Sequence, residues 1–188
     1  MKLNIIHLPK RKDRYDLLVK ELSEQDISDY EIWHGEIVPR SRRTGICRSH
    51  KKIVQYAKDN NIPKVVIAED DIKFFAKGAW EYYLQQMPDD FDLYFGMVFK
   101  GQIDSNNRLV EVAHGMTLYT VHERFYDYFL SIDDNNHIDL ASTKEYKKYK
   151  FIVCNPFVCT QNGTYSDNSF GCRNYEPLLV GRKIFGRD

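Results

Sequence analysis

The run Val65-Val66-Ile67-Ala68-Glu69-Asp70-Asp71 constrains this chain more than any other stretch. Four small or branched apolar residues in a row suit a strand buried on both faces of a parallel sheet. Three carboxylates at the end of such a strand are costly unless a cation or basic ligand neutralises them. In open α/β sheets, ligands bind in the crevice at the carboxyl ends of the strands, and that is where Glu69, Asp70 and Asp71 fall. Hard oxygen donors suit Mg²⁺ or Mn²⁺, and those ions suit phosphates. If the chain is still extended there, Glu69 and Asp71 point the same way. Asp71 is then the first choice of metal ligand, with Glu69 or Asp70 reaching a ribose, a sugar hydroxyl or a metal-bound water. The competing reading is a solvated loop with helix-capping acids.

Around this run, strands and helices alternate. Leu3 to Leu8 reads as a strand closed by Pro9. Asp13 is a plausible cap for a helix to about Gln25, with Leu18 and Leu22 on its apolar stripe. Tyr30 to Trp33 reads as a short strand and His34 to Thr44 as a loop. From Ile46 to about Asn60, Ile46, His50, Ile53, Val54 and Ala57 fall on one helical face, so His50 is predicted to point inward. Asn60-Asn61-Ile62-Pro63 turns into the acid-tipped strand. A helix over Ala79–Met87, a strand over Asp92–Phe95 and a turn at Asp104–Asn107 between Val98 and Val112 follow. Met116–Val121 reads as a strand, Glu123–Leu130 as a helix, a short helix starts near Asp139, and Phe151–Cys154 is the last core strand. Asn162 to Asp188 is loop-rich. The alternation predicts an α/β domain over residues 1–188, with a mostly parallel central sheet flanked by helices.

Composition narrows the partners. The 27 basic residues balance the 27 acidic ones, which argues against a general nucleic-acid or membrane-surface binder. No stretch approaches the roughly 20 apolar residues that span a bilayer, and the N-terminus lacks a secretory apolar core. Cys47, Cys154, Cys159 and Cys172 lack paired metal-ligand spacing, so reduced thiols in a cytoplasmic protein are expected and zinc is not.

Other residues carry weaker signals. The turn Pro9 to Arg14 opens a helix, where backbone N–H groups with Arg11 and Arg14 make a natural phosphate or nucleotide site. A solvated basic turn explains it equally well. The cluster Arg40, Arg42, Arg43 and Arg48 either serves a diphosphate or solubilises a loop. Ser49 and His50 lack an identifiable third partner for nucleophilic catalysis, so a core histidine is the better reading of His50. Asp139 and Asp167 are candidates for a general base.

Three motifs in order carry a resemblance: Ile5-Ile6-His7-Leu8-Pro9 with Arg11 and Arg14, then Gly45-Ile46-Cys47-Arg48-Ser49-His50, then Val66-Ile67-Ala68-Glu69-Asp70-Asp71. Together they resemble glycosyltransferase family 25, which includes lipopolysaccharide-biosynthesis and collagen glycosyltransferases. Ile138-Asp139-Leu140 and Tyr165-Ser166-Asp167 are similar to later segments of that family. The resemblance covers roughly residues 3 to 75 and implies a GT-A type fold. It implies a nucleotide-sugar donor, usually a uridine diphosphate sugar, with Mn²⁺ or Mg²⁺ at the acidic triplet and hexose transfer to a hydroxyl acceptor. Position by position it puts Arg11 and Arg14 near the nucleotide and Ser49 and His50 in support of the donor pocket. Glu69, Asp70 and Asp71 would serve metal and donor, and Asp139 the acceptor side. Pro9 and the missing first glycine before Gly45 depart from the family pattern, and the chain is short after residue 75. A carboxylate base opposite the leaving diphosphate predicts inversion at the anomeric carbon. The alternatives from other classes are an inactive nucleotide-sugar or glycan-binding protein of the same fold, a phosphoacceptor domain, and a nucleic-acid-binding module. A phosphoacceptor domain would want its acid pair after the first strand, where this chain has His7-Leu8-Pro9-Lys10.

Overall fold

The computed structural model describes residues 1–166, 171–172 and 174–187. Six strands form the central sheet in the order β2-β1-β3-β6-β5-β7: β1 (Leu3–His7), β2 (Tyr30–His34), β3 (Lys64–Glu69), β5 (Leu93–Phe95), β6 (Leu118–His122) and β7 (Phe151–Val153). β2, β1 and β3 pair in parallel, as do β5 and β7, whereas β6 is antiparallel to both neighbours. The mostly parallel sheet expected from the alternation is present, and β6 alone runs against it. That reversal matters for the site. The residues just before Leu118 lie beside the carboxyl ends of β3 and β5.

Val66, Ile67 and Ala68 are fully buried, as a strand covered on both faces requires. Helix α2 (Arg42–Asp59) lies on one face, where His50 bonds Tyr119. Helix α3 (Ala79–Gln85) lies on the other, where the Tyr83 hydroxyl meets Thr120 and its ring stacks on Tyr94. Tyr119 and Thr120 are neighbours on β6, so their side chains leave opposite faces. The aromatic residues are largely core: Phe91, Phe95, Phe125, Phe129 and Phe151 are fully buried together with Tyr83 and Tyr119.

Several elements differ from the sequence reading. Helix α1 spans Lys12–Glu24, and its cap position is Arg11 rather than Asp13. Asp13 instead sits in the first turn and takes two bonds from the Arg11 guanidinium, Nε to Oδ1 at 2.8 Å and Nη2 to Oδ2 at 2.6 Å. That pairing holds the Asp13 carboxyl down at about 2. Helix α2 begins at Arg42, a turn earlier than the apolar periodicity predicts, because its first turn is polar and carries no core stripe. The Glu123–Leu130 helix splits into a 3₁₀ turn and α4 (Tyr126–Ser131), and α5 spans Ile138–Thr143. A second small sheet was not foreseen: β4 (Ile72–Phe74) pairs antiparallel with β8 (Cys159–Gln161), directly after the acidic triplet.

Candidate functional site

The parallel register sets Ile6 opposite Glu69, so His7 and the triplet share the carboxyl end of the sheet. The Asp70 N–H donates to the Ile6 carbonyl at 3.1 Å, and Glu69 N–H donates to the Thr117 carbonyl at 3.0 Å. The three acids are therefore held by backbone bonds on both sides of β3. Each of their side chains then has a different fate.

Asp70 is fully engaged. His7 Nδ1 donates to its Oδ2 at 2.8 Å, and Arg14 Nη1 donates to its Oδ1 at 2.7 Å. Glu69 accepts from Gln161 Nε2 at 2.8 Å, and its other oxygen lies 3.6 Å from His50 Nε2. His50 is itself buried, with Nδ1 2.6 Å from the Tyr119 hydroxyl. Asp71 is the exception. Its Oδ2 lies 3.1 Å from Arg14 Nη1, but its buried Oδ1 has no hydrogen-bond partner among the described residues. Burial pushes the Asp71 carboxyl well above the usual carboxylate range. Glu69 and Asp70 add to that, and Arg14 only partly offsets it. One guanidinium thus faces two carboxylates in a desolvated site. Burial alone would weaken the Arg14 charge, but the attraction of Asp71 and Asp70 prevails and raises its pKa. Its Nε is also buried without a partner.

The segment after β8 closes over these groups. Asn162 N–H donates to the Asp71 carbonyl at 2.7 Å, and Arg14 Nη2 donates to the Tyr165 carbonyl at 3.1 Å.

The structure therefore brings Arg14, His50, Glu69, Asp70 and Asp71 together. Pro9 is exposed in the turn, where Arg11 N–H bonds the Leu8 carbonyl, and the Arg11 side chain is drawn to Asp13. Ser49 serves the scaffold: its hydroxyl donates to the Gly45 carbonyl and accepts from Glu36 N–H. A Cβ on Gly45 would stand 2.4 Å from the Glu36 carbonyl oxygen. The Gly45–Ser49 pair, one helical turn apart, thus clamps the 35–41 loop onto α2.

Asp139 sits in the first turn of α5. Its Oδ1 accepts Leu140 N–H at 2.9 Å, its Oδ2 accepts Gly115 N–H at 3.3 Å, and His114 Nδ1 is 3.9 Å away. His114 and Gly115 precede Thr117, the partner of Glu69, so this pair flanks the same end of the sheet. Asp167 lies outside the described residues. His7, His114, Gln161 and Tyr165 were not singled out from sequence. His7 alone carried a usable signal, since it ends the strand that pairs in parallel with the acid-tipped one.

Among the described residues, no three His, Cys, Asp or Glu side chains converge as a ready-made metal cage. The donor set still fits a divalent ion of the kind that takes one or two protein carboxylates and completes its shell with substrate phosphates, because Asp71 presents an unspent buried oxygen. No helix of the described chain is long and apolar enough to cross a membrane.

No protein-family model matches the sequence, and no curated protein matches it by sequence. Solved structures do match by shape. The structure of A197 from STIV superposes with a TM-score of 0.52 at 10% identity, over 81% of this chain and 80% of that one. A Bacillus anthracis protein assigned as a glucose-1-phosphate thymidylyltransferase, solved with sucrose, gives 0.51 at 10% identity over 86% and 71%. The inositol-1-phosphate CTP transferase from T. maritima gives 0.50 at 10% identity over 96% and 97%. The fold is GT-A-like. Its sheet and helix layers superpose on those of these three structures, a likeness of fold.

Proposed function

We propose that this chain is a metal-dependent glycosyltransferase that moves a hexose from a nucleotide sugar, first of all a uridine diphosphate sugar, to a hydroxyl of a glycan or similar acceptor. The carrying observation is the buried, partnerless Oδ1 of Asp71 at the carboxyl end of β3, in a cluster of three acids faced by one arginine. A site built this way is under-neutralised and gains from a cation. Mn²⁺ or Mg²⁺ supplies charge there when bound, stabilising the diphosphate as it departs.

Asp71 would hold that ion, and Glu69, whose oxygens make only one hydrogen bond, is the second oxygen donor. Asp70 acts differently. With both oxygens spent on His7 and Arg14, it orients Arg14, whose unshared Nε leaves a donor for a phosphate oxygen. On the acceptor side, Asp139 with His114, or Asp167, takes the proton. The acceptor oxygen forms its bond to the anomeric carbon as the bond to the phosphate oxygen breaks. The nucleoside diphosphate leaves with the electron pair, and direct displacement inverts the centre. The resemblance to glycosyltransferase family 25, including its lipopolysaccharide-biosynthesis members, supports this assignment.

A second reading has its own support. Two of the similar structures are nucleotidyltransferases by name, and the turn after β1 carries Lys10, Arg11 and Lys12 for a longer phosphate chain. The two chemistries release different products. Protein incubated with Mn²⁺, a panel of nucleotide sugars and acceptor saccharides should release nucleoside diphosphate, alongside a rise in melting temperature. Pyrophosphate release from nucleoside triphosphate and a sugar phosphate supports nucleotidyl transfer instead. Stabilisation without any release supports a binding protein of the same fold, and indifference to every donor defeats all three.

A further inference from the structure

A well-formed cleft of the described molecule lies away from the acids. It encloses about 490 Å³ between the end of α3, the 104–108 turn and β7, three strands away from β3 in the sheet. Its lining includes Gln86, Tyr94, Asn106, Arg108, Lys150 and Asn155. We propose that this cleft is a second binding site, and that its ligand is an acidic saccharide unit of the hexuronate kind.

Tyr94 is 1% exposed, and among the described residues its hydroxyl faces only the Cys154 thiol of the same cleft, with no hydrogen bond of good geometry. Buried hydroxyls almost always have a strong partner, so one that lines a cleft against a weakly bonding thiol marks a place where a ligand oxygen or an ordered water completes the bond. Burial pushes the phenol far above its usual range, so it stays a standing donor. Around it are carboxamides, which both donate and accept, as vicinal sugar hydroxyls require. Asn155 and Asn107 already bond each other at 2.8 Å, leaving Gln86 and Asn106 as the freer amides.

Charge selects among polyols. Arg108 spends one bond of 3.4 Å on the Tyr149 carbonyl, which leaves most of a planar five-donor fork. Lys150 stands beside it, paired with Asp90 at 3.0 Å. The one acid in the lining, Asp104, is turned to its own loop: a single oxygen accepts Asn106 N–H at 2.8 Å and Arg108 N–H at 2.9 Å. The cleft thus offers an uncommitted guanidinium to a carboxylate and amides to the ring hydroxyls. Its volume exceeds that of one sugar ring, so a short chain fits.

The proposal stands apart from the transferase reading and is tested without turnover. Isotope-labelled protein is titrated with glucuronate, glucose and inorganic phosphate, and backbone amide shifts are followed. Glucuronate should move signals from 94, 104–108 and 150–155, saturating with a Kd on the order of 1 mM, as suits so small a ligand. Arg108→Ala should weaken it at least tenfold, and Tyr94→Phe several-fold. Should Arg108→Ala perturb the turn, the exposed Asn106→Ala is the second probe, again several-fold weaker. Asp71→Asn should bind glucuronate as the parent does, which separates this site from the acids. No saturable shifts, equal affinity for glucose, or phosphate binding as tightly as glucuronate would each overturn the proposal; the first outcome means that water alone occupies the cleft.

Discussion

Asp71→Asn is the most informative single change. In the ligand-free protein it should stabilise the fold. One guanidinium faces Asp70 and Asp71 with Glu69 adjacent, and Asp71 keeps an oxygen buried and unbonded. A buried polar atom left without a partner costs about 1–3 kcal/mol. The amide removes the repulsion from Glu69 and Asp70, and Arg14 retains its 2.7 Å bond to Asp70. Some attraction between Arg14 and Asp71 is lost, so the net gain should be about 1–2 kcal/mol. For a chain of 188 residues this is a rise of roughly 2–8 °C in Tm. The pH dependence has a definite sign. Burial, then Glu69, raises the folded-state carboxyl of Asp71 well above 3.8, so ionising it costs stability as pH climbs from 3.8 through the raised value. The gap between variant and parent should be full above that value and shrink toward pH 4, as the unfolded-state carboxyl also takes up its proton. Mn²⁺ should raise the parent Tm and leave the variant unmoved. Scanning calorimetry from pH 4 to 8, with and without Mn²⁺, measures all of this. A variant that melts lower at pH 7.5, or a gap independent of pH, would refute the reasoning and make Asp71 merely a structural partner of Arg14.

Four further changes probe the scaffold. Arg14→Ala leaves Asp71 without a charge partner and Asp70 with only His7, and should cost about 3–5 kcal/mol in urea unfolding at pH 7. Gly45→Ala drives a Cβ to within 2.4 Å of the Glu36 carbonyl oxygen, so a loss of about 1–3 kcal/mol and faster proteolysis within 35–41 are expected. Tyr119→Phe strips His50 Nδ1 of its buried partner and should cost about 1–3 kcal/mol by thermal melt. Lys51 first, then Arg48, hold the Asp134 carboxyl below its usual range. The stabilisation they provide is present above about pH 4 and fades as pH falls through the lowered value. Hydrogen-exchange protection at 132–137, corrected for the intrinsic rate, should therefore fall in acid, and Asp134→Asn should show the lower protection already at neutral pH.

The layered core was legible because its elements are marked in opposite but readable ways: β3 by an unbroken apolar run, α2 by periodic apolar residues with His50 inward. The reversed β6 was not legible. Met116–Val121 reads as a strand either way, and orientation depends on the long 98–114 excursion, whose antiparallel pairing of Lys100 with His114 no local pattern announces. The start of α2 was missed for a related reason. Arg43 and Thr44 reach the 132–135 loop through Asn135 contacts rather than the sheet, so no apolar stripe signals them.

The acids themselves show what spacing conveys and what it leaves out. Three carboxylates ending a buried strand require a countercharge, and that much follows from the residues alone. Which of the three is available depends on partners 56 to 92 residues distant in sequence: Arg14 and His7 for Asp70, Gln161 for Glu69. Chemically equal residues become unequal only when the fold spends their oxygens. Asp70, fully spent, can position but cannot ligate without surrendering Arg14. Asp71, half spent, can ligate at no cost in hydrogen bonds. If Asp70→Asn abolished the Mn²⁺ response while Asp71→Asn kept it, that division would be reversed, and the unspent oxygen would no longer mark the ion's place.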